Sequence, residues 1–328
     1  MEIFRQLGSV LREPTVASIG NFDGVHLGHR SVLAETIARA RALHARSLAI
    51  TFDPHPTRLL RPEQPTPLIT PLARKLELLA GTGIDATLVL PFTTEFCQTS
   101  ARDFAEHVLR EGIGCVEVHE GENFRFGYQA ESGIGGENGL ESLGRQLGFG
   151  VGVFAPLRLR GGPISSSRVR GLIAAGAMSE ARALLGRAFA VDSTPASGRG
   201  FGTRYAVPTI NLARYGELLP GHGVYITRLT VGAAGGETAG RTGATFQGVT
   251  NVGNRPTFGE DSFAVESHLL DFYPIALSEE TPLRLEFLRR LRGERRFESP
   301  AALREQILRD MGQARRYFAL CGALAARR

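Results

Sequence analysis

The sequence predicts an α/β protein in which a parallel-sheet domain is followed by an antiparallel β-barrel domain with a C-terminal helix. From residue 16 to about residue 185, short β-like runs alternate with longer helical patterns, as βαβ units do. After about residue 188, strand-like segments separated by glycine and proline follow one another, which is typical of an antiparallel barrel or sandwich. The chain then ends in a segment with apolar residues at helical spacing.

The first half supplies the elements of the parallel sheet in order. We expect strands at VASIG (16–20), SLAITF (47–52), DATLVL (85–90) and CVEVHE (115–120). The helical patterns are HRSVLAETIARARALHA (29–45) and ARDFAEHVLREG (101–112). Because strands and helices alternate, the strands are expected to run parallel with helices on the faces of the sheet.

The second half supplies the barrel and the final helix. Its expected strands are YAVPTINL (205–212), GVYITRLTV (223–231), ATFQGVTNVG (244–253) and AVESHLLDFY (264–273). The segment 232–243 is rich in glycine, alanine and threonine, which predicts a flexible hairpin tip. Ser299 and Pro300 stand at the N-cap and first position of the final helix. We therefore predict two domains, 1–187 and 188–328, in keeping with a length of 328 residues.

Composition and charge restrict the class of protein. A hydrophobic content of 42%, a charged content of 22% and a mean hydropathy of −0.06 are those of an ordinary globular protein. We find no signal peptide and no run long enough to span a bilayer, so we expect a cytoplasmic protein without a membrane partner. Cys97, Cys115 and Cys321 lack the paired spacings of zinc or redox sites and are expected to be packing residues.

The basic charge favours polyanionic partners without choosing among them. The net charge is +5 and the pI is about 9.5, which suits nucleic acids and nucleotides alike. The chain has no run of five or more Lys or Arg and no aromatic residues interleaved with basic ones. The case for nucleic acid is therefore weak and we expect no nucleic-acid partner, while a solvated basic surface stays the alternative to a phosphorylated ligand.

The strongest chemical signal follows the first predicted strand, in SIGNFDGVHLGHRSVL (18–33). His26 and His29 flank Gly28 where the first helix begins. The N–H groups and the dipole at a helix N-terminus favour phosphate, and a glycine lets the backbone approach a ligand. The pattern indicates a polyphosphate site, although a metal site or plain surface stays open on these residues alone.

A second signal lies in ISSSRVRGLIAAG (164–176), where three serines precede a helix. Serines at such a position are usually caps. Arg168 and Arg170 stand in the first turn, where positive charge opposes the helix dipole unless an anion compensates it. A phosphate is again indicated, and the two signals together are more specific than either alone.

Together, GNFDGVHLGH (20–29) and ISSSRVR (164–170) resemble the paired signatures of the HxGH nucleotidyltransferase superfamily, which transfers AMP or CMP and releases pyrophosphate. TFDPHP (51–56), LIT followed by Lys75, and ENFRFG (122–127) resemble the FMN adenylyltransferase module of bacterial bifunctional riboflavin kinase/FAD synthetases. This resemblance covers nearly all of residues 1–187 and implies a Rossmann-like domain. It implies that the FMN phosphate attacks the α-phosphorus of ATP, without a covalent protein intermediate and with Mg²⁺ on the triphosphate.

The same resemblance assigns roles to individual residues of the first half. It implies that His26, His29, Ser166 and Arg170 stabilise charge on the phosphates. For His55, between two prolines, ligand binding and fixing a loop both stay open, and core packing stays open for Phe124. The implied nucleotide-binding residues are Gly20, Phe22, Gly28, Ser165 and Ser166, and the implied flavin-binding residues are Asn123 and Phe124.

The second half resembles riboflavin kinases. GRGFGTRYAVPTINL (198–212) is similar to their glycine-rich loop followed by Pro-Thr-x-Asn, and NVGNRPTFGEDSFAVESHLLDF (251–272) to two later segments. The resemblance implies that Thr209 and Asn211 are oxygen ligands of Mg²⁺ and ATP. It makes Glu266 the base that takes the proton of the ribityl hydroxyl, although an exposed strand glutamate stays the alternative. Phosphate-binding roles follow for Gly198, Gly200 and Gly202, and a flavin-binding role for Arg255.

Two departures from the kinase pattern leave an alternative open. Thr203 replaces an arginine, which removes a phosphate or structural contact, and Ala206 adds a methyl where the family has glycine. The sequence thus predicts a bifunctional enzyme that forms FMN and FAD, with an adenylyltransferase carrying an inactive flavin-binding half as the alternative. Expected partners are riboflavin, FMN and ATP, with FAD as product; a homo-oligomer stays open.

Overall fold

The computed structural model describes residues 1–10, 13–122, 124, 127, 139–196, 209–232, 243–254, 263–273, 275 and 277–326. The chain forms two compact units, Met1–Ser166 and Ser167–Arg328. This division falls before the expected boundary after Arg187, and that boundary stays a prediction.

The first unit is built on a parallel sheet. Its described strands pair in the order β1-β4-β3-β2-β5-β6, and every pair is parallel. All five residues of β2 are buried, as expected for a strand covered on both faces. The strands are β1 (Glu2–Phe4), β2 (Thr15–Ile19), β3 (Arg46–Asp53), β4 (Ala86–Pro91), β5 (Cys115–Gly121) and β6 (Gly150–Phe154), with a small ribbon of β7 (Arg158–Leu159) and β8 (Gly162–Pro163).

Helices connect these strands. The first, α1, follows β2 directly and packs against β2, β3 and β5. The helices are α1 (Leu27–Ala42), α2 (Pro56–Leu60), α3 (Leu72–Ala80), α4 (Thr94–Cys97), α5 (Ala101–Asp103) and α6 (Leu140–Leu147), with a 3-10 turn at Leu7–Ser9 and a π-helical segment at Phe104–Gly112.

The strand order explains where a ligand site belongs. From β2 the chain adds β3 and β4 on one side and later β5 and β6 on the other. Such a reversal leaves a crevice beyond the carboxyl ends of the strands, which is the usual ligand position in open α/β sheets. The loop between β2 and α1 lies at this point.

The second unit contains an antiparallel sheet. Its described strands pair in the order β10-β13-β12-β11-β14-β9, all antiparallel. The elements are α7 (Ser166–Ala174), whose first residue belongs to the first unit, α8 (Met178–Leu185), β9 (Phe189–Ser193), β10 (Thr209–Asn211), β11 (Gly223–Val231), β12 (Ala244–Asn254), β13 (Phe263–Leu269), β14 (Leu283–Arg292) and α9 (Pro300–Ala325).

The two outer strands of this sheet meet. Pro195, beyond β9, forms a bridge with Leu212, beyond β10. The N–H of Ala196 donates to the carbonyl of Asn211 at 2.8 Å, and that of Ala213 donates to the carbonyl of Thr194 at 2.8 Å. These bonds bring the edges of the sheet together, as a barrel requires.

The C-terminal helix covers one side of the sheet. Val224, Ile226 and Val249 of the sheet form one apolar cluster with Ala314 of α9. The Ser299 side chain caps the helix through the N–H of Ala302, and Pro300 occupies the first turn. The α/β fold class, with its parallel and antiparallel parts and its final helix, is therefore confirmed.

Three smaller predictions have mixed outcomes. Cys115 is buried as expected, but Cys321 is exposed because the last residues of α9 lie outside the packed cluster. The antiparallel pairing of β11 with β12 confirms a hairpin there, although residues 233–242 of its tip lie outside the described residues. Among the described helices, none has the length and apolarity needed to cross a bilayer.

Candidate active sites

Two histidine rings meet at the start of α1. His26 is the N-cap residue, and its Nδ1 accepts a hydrogen bond from the N–H of His29 at 3.1 Å. The rings stack with their centroids 3.6 Å apart and their planes 17° from parallel. The sequence prediction that both imidazoles share one helix N-terminus is therefore matched by the geometry, which suits a phosphate group.

Gly28 packs closely against the His26 ring. A Cβ atom at position 28 would lie 3.2 Å from two ring atoms of His26 and 3.7 Å from the carbonyl oxygen of Ile164. A side chain at position 28 would therefore require the His26 ring to shift by a few tenths of an ångström. Gly20, also a predicted nucleotide-binding residue, is close to Phe22, whose ring a Cβ at position 20 would meet at 3.3 Å.

The loop between β2 and α1 is held by Asp23. Its buried carboxylate accepts hydrogen bonds from the N–H groups of Ile69 and Thr70, both at 3.0 Å. In return the N–H of Gly24 donates to the Thr70 hydroxyl at 3.0 Å. The LIT segment thus fixes the backbone that leads into His26, which explains why the two motifs occur together.

The second predicted motif reaches the same loop. The Ser166 hydroxyl, at the start of α7, donates to the carbonyl oxygen of Asp23 at 2.9 Å. Because a hydroxyl has one proton, Ser166 in this arrangement anchors the loop and does not donate from its side chain to a phosphate. Ser165 is exposed just before the helix, and Arg170 is half-buried four residues beyond Ser166.

The electrostatics of the loop favour an uncharged His29. Burial lowers the pKa of His29 well below its ordinary value, and the neighbouring His26 and the Lys75 ammonium lower it further. Burial also lowers the pKa of Lys75, which donates to the Thr51 hydroxyl at 3.3 Å. In the described residues, the buried Nδ1 of His29 and Oδ1 of Asn21 have no hydrogen-bond partner. Such atoms are expected where a ligand completes a site.

Three other predicted residues have different surroundings. The Phe22 side chain is buried in the apolar core beneath α1 and meets the His29 ring edge-on at 5.3 Å. Contacts between position 22 and a nucleotide would therefore come from the backbone. Phe124 is partly buried against the core, and His55 caps α2 through its ring nitrogen and the N–H of Thr57. The capping fits the alternative that His55 fixes a loop.

A second group of predicted residues lies on the ladder between β10 and β13. Thr209 pairs with His268, and Asn211 pairs with Glu266. Because side chains alternate along a strand, these four residues share one face of the two-stranded ladder. The Thr209 hydroxyl and the His268 Nδ1 lie 2.9 Å apart. Burial lowers the pKa of His268, while Glu266 and Asp310 act in the opposite direction.

The residues on this ladder fit a hard cation such as Mg²⁺. The Asn211 Oδ1 is buried and has no hydrogen-bond partner in the described part of the chain. Amide and hydroxyl oxygens are suitable donors for Mg²⁺. A cation here would be held by the side-chain oxygens of Thr209 and Asn211.

Sequence reasoning missed three residues that the structure brings into these sites. Asp23 and His268 stand inside quoted motifs, and Lys75 served only as a family marker. The strand spacing of two between Glu266 and His268 is a signal that could have found His268. Asn123, Gly198, Gly200, Gly202 and Arg255, together with Thr203 and Ala206, lie outside the described residues.

Fold and sites define a class: a two-part protein with a pair of stacked histidines at a helix N-terminus on a parallel sheet and a polar face on an antiparallel barrel. A family model described as FAD synthetase matches residues 9–168, and one described as riboflavin kinase matches residues 185–318.

Curated relatives match almost the whole chain. The bifunctional riboflavin kinase/FMN adenylyltransferase of Pseudomonas fluorescens is 34% identical over 301 residues, covering 92% of each chain. The protein of that description from Escherichia coli (strain K12) is 31% identical over 314 residues, covering 96% of each chain. The chain therefore belongs to the bifunctional riboflavin kinase/FMN adenylyltransferase family, and the predicted bifunctional enzyme of flavin biosynthesis is confirmed.

A solved structure supports the fold alone. It is described as a macrolide-efflux protein from Streptococcus pneumoniae, and it aligns with a TM-score of 0.81 over 95% of this chain and 98% of its own. The sequence identity is 22%, so this likeness carries no argument about activity.

Proposed function

We propose that this chain makes FMN from riboflavin at the β10–β13 ladder and FAD from FMN at the β2–α1 loop, with ATP as the phosphoryl and adenylyl donor. The observation that carries the proposal is the stacked pair of histidines at the N-terminus of α1, placed where the strand order reverses. The FAD synthetase model matches the first half and the riboflavin kinase model matches the second, which supports placing one reaction in each half.

In the adenylylation step, an oxygen of the FMN phosphate attacks the α-phosphorus of ATP, and the bond to pyrophosphate breaks. Negative charge on the phosphates is stabilised by His26, His29 and Arg170, with the N–H groups at the start of α1. Gly28 allows close approach of the backbone. His29 would contribute as a hydrogen-bonding partner of the phosphate, through an imidazole whose pKa burial lowers.

In the kinase step, Glu266 accepts the proton of the ribityl hydroxyl while that oxygen attacks the γ-phosphorus of ATP, and ADP leaves. Thr209 and Asn211 would hold Mg²⁺ through their side-chain oxygens. The bound ion would neutralise phosphate charge during transfer. The pairing of Asn211 with Glu266 supports this, because it places the ligand and the base on one face.

The partners and location follow from the same proposal. Riboflavin, FMN and ATP are the small molecules that these reactions use, and a cytoplasmic location fits the globular composition.

The test is to incubate the protein with ATP and Mg²⁺, once with riboflavin and once with FMN, and to separate the flavins by chromatography. FAD formed from both substrates supports both activities. FAD formed from FMN alone would overturn the kinase part and favour an adenylyltransferase whose second half binds flavin without turnover. Absence of FAD from both would overturn the proposal.

A further inference from the structure

The polar face of the β10–β13 ladder has four members, and only three have a role so far. Thr209 and Asn211 are the proposed cation ligands, and Glu266 is the proposed base. His268 pairs directly with Thr209, and its Nδ1 lies 2.9 Å from the Thr209 hydroxyl. His268, the fourth member of this face, is therefore in contact with a proposed cation ligand.

The chemistry of a hydroxyl ligand explains this contact. A threonine hydroxyl has one proton and two lone pairs. A cation takes a lone pair and repels the proton, so the proton needs an acceptor on the side away from the cation. A neutral imidazole that carries its proton on Nε2 offers Nδ1 as that acceptor. The geometry at Thr209 matches this arrangement.

On the opposite face of β13, hydroxyl groups form hydrogen bonds with one another and no histidine takes part in these bonds. Thr250 lies 2.7 Å from the Thr227 hydroxyl and 2.8 Å from that of Ser267, and all three residues are buried. These hydroxyls serve one another as donor and acceptor. Buried hydroxyls in this sheet are thus satisfied without a histidine. The histidine beside Thr209 therefore points to a separate requirement, namely an acceptor for the Thr209 proton when the oxygen binds a cation.

We propose that His268 is a positioning residue of the kinase site, which accepts the Thr209 proton and turns the lone pairs of that oxygen toward Mg²⁺ and ATP. This inference rests on the proposed kinase function of Thr209 and Asn211. His268 itself touches no substrate in this scheme and acts through Thr209.

Two neutral variants of similar polarity separate this role from packing. In His268→Asn the amide oxygen stands close to the position of Nδ1 and can still accept the Thr209 proton. In His268→Gln the amide lies further out, near the position of Nε2, and a methylene faces Thr209. We expect the Gln variant to lose the effect of His268 and the Asn variant to keep most of it.

The primary measurement is calorimetric binding of ADP by the full chain over a series of Mg²⁺ concentrations. Loss of a residue that orients a metal ligand typically weakens metal binding about 10- to 100-fold. We therefore expect the Mg²⁺ concentration that half-saturates the enhancement of ADP binding to rise at least about tenfold in His268→Gln. In steady-state kinetics, the KM for ATP of FMN formation should rise more than kcat falls.

Thr209→Val and the double variant Thr209→Val/His268→Gln complete a thermodynamic cycle. If His268 acts through Thr209, the second substitution adds no further loss of Mg²⁺-dependent ADP binding. Ser267→Ala is the matched control, since it removes a hydroxyl contact from the same strand on the other face. It should leave the Mg²⁺ dependence unchanged, and the thermal unfolding of the full chain reports that the second unit of each variant is folded.

Several results would overturn the inference. They are an unchanged Mg²⁺ dependence in His268→Gln, an equal loss in the Asn and Gln variants, or independent losses in the double variant. If the unsubstituted protein forms no FMN and its ADP binding does not depend on Mg²⁺, the proposed kinase function itself fails. This outcome differs from a failure of the His268 inference alone, in which the unsubstituted protein still forms FMN.

Discussion

The Ser166 hydroxyl donates a hydrogen bond of 2.9 Å to the carbonyl oxygen of Asp23, a residue 143 positions earlier in the chain. Asp23 is in turn fixed by the N–H groups of Ile69 and Thr70. Three separated segments thus hold one loop, and that loop leads into the stacked histidines. The serine motif therefore fixes the loop of the proposed phosphate site as well as starting a helix.

Substitution of Ser166 tests this anchoring role. In Ser166→Ala we expect a loss of about 1 kcal/mol of hydrogen-bond energy, equivalent to about a fivefold fall in kcat/KM for FAD formation. Ser167→Ala is the matched control, because Ser167 is the exposed neighbour on the same helix. Equal effects of the two substitutions would contradict the anchoring role.

Substitution of His29 tests the adenylylation site. Removal of one preorganised group at a charged transition state typically costs about 100-fold or more. We expect His29→Ala to reduce FAD formation by at least that factor and to leave FMN formation from riboflavin intact, as measured by flavin chromatography. His107→Ala is the control, since His107 is exposed and pairs with Glu111. Loss of both activities in folded His29→Ala protein would refute the two-site scheme.

Substitution of Glu266 tests the other site. A general base contributes about 100- to 10,000-fold, so Glu266→Gln should slow FMN formation by a factor in that range. FAD formation from supplied FMN should continue. The control is Glu286→Gln on β14, a glutamate that forms an ion pair with Arg228. A fully active Glu266→Gln enzyme would remove Glu266 from the proposed role.

The stability of the protein should depend on the protonation of His29. Its pKa in the folded protein lies below the ordinary value of 6.5, so the unfolded chain binds more protons than the folded one between these two values. The free energy of unfolding should therefore fall as the pH is lowered from about 6.5 through the folded-state pKa. Denaturant unfolding at a series of pH values measures this slope.

His29→Gln provides the comparison for that slope. Without the titrating ring, the dependence should be shallower, although His268 contributes with the same sign. The Glu117 carboxylate, whose pKa is lowered mainly by Arg39, loses its contribution only as the pH falls below its ordinary value of 4.5. The His29 contribution therefore begins to fall near pH 6.5, and the Glu117 contribution only below about pH 4.5. Identical slopes for the variant and the unsubstituted protein would count against a lowered pKa of His29.

The fold was largely predictable because the sequence patterns are local. Alternation of strands and helices, and the Ser299-Pro300 start of α9, depend on neighbouring residues and are confirmed in the structure. The pairing of the histidines was predictable for the same reason, since one helix turn separates them. Contacts between distant segments have no such local signal. The bond from Ser166 to Asp23 and the bond from Lys75 to Thr51 emerged only from the folded chain.

The second site shows the same limit in a different form. Its glutamate and its Thr-x-Asn segment were found from motifs, but the residue opposite Thr209 depends on strand register. Register is set by the packing of both faces of the sheet, which no single segment encodes. For that reason His268 was quoted within a motif and its contact was not foreseen.

The β10–β13 ladder has a consequence for chain-length variation. One inserted or deleted residue within either strand would turn the polar side chains beyond that point to the other face of the sheet. Thr209 and Asn211 would then no longer stand opposite the side chains of His268 and Glu266. Insertions that the neighbouring connections could absorb would therefore disable the kinase when placed inside either strand. The register of β10 against β13 therefore fixes the relative positions of the proposed ligands, base and positioning residue.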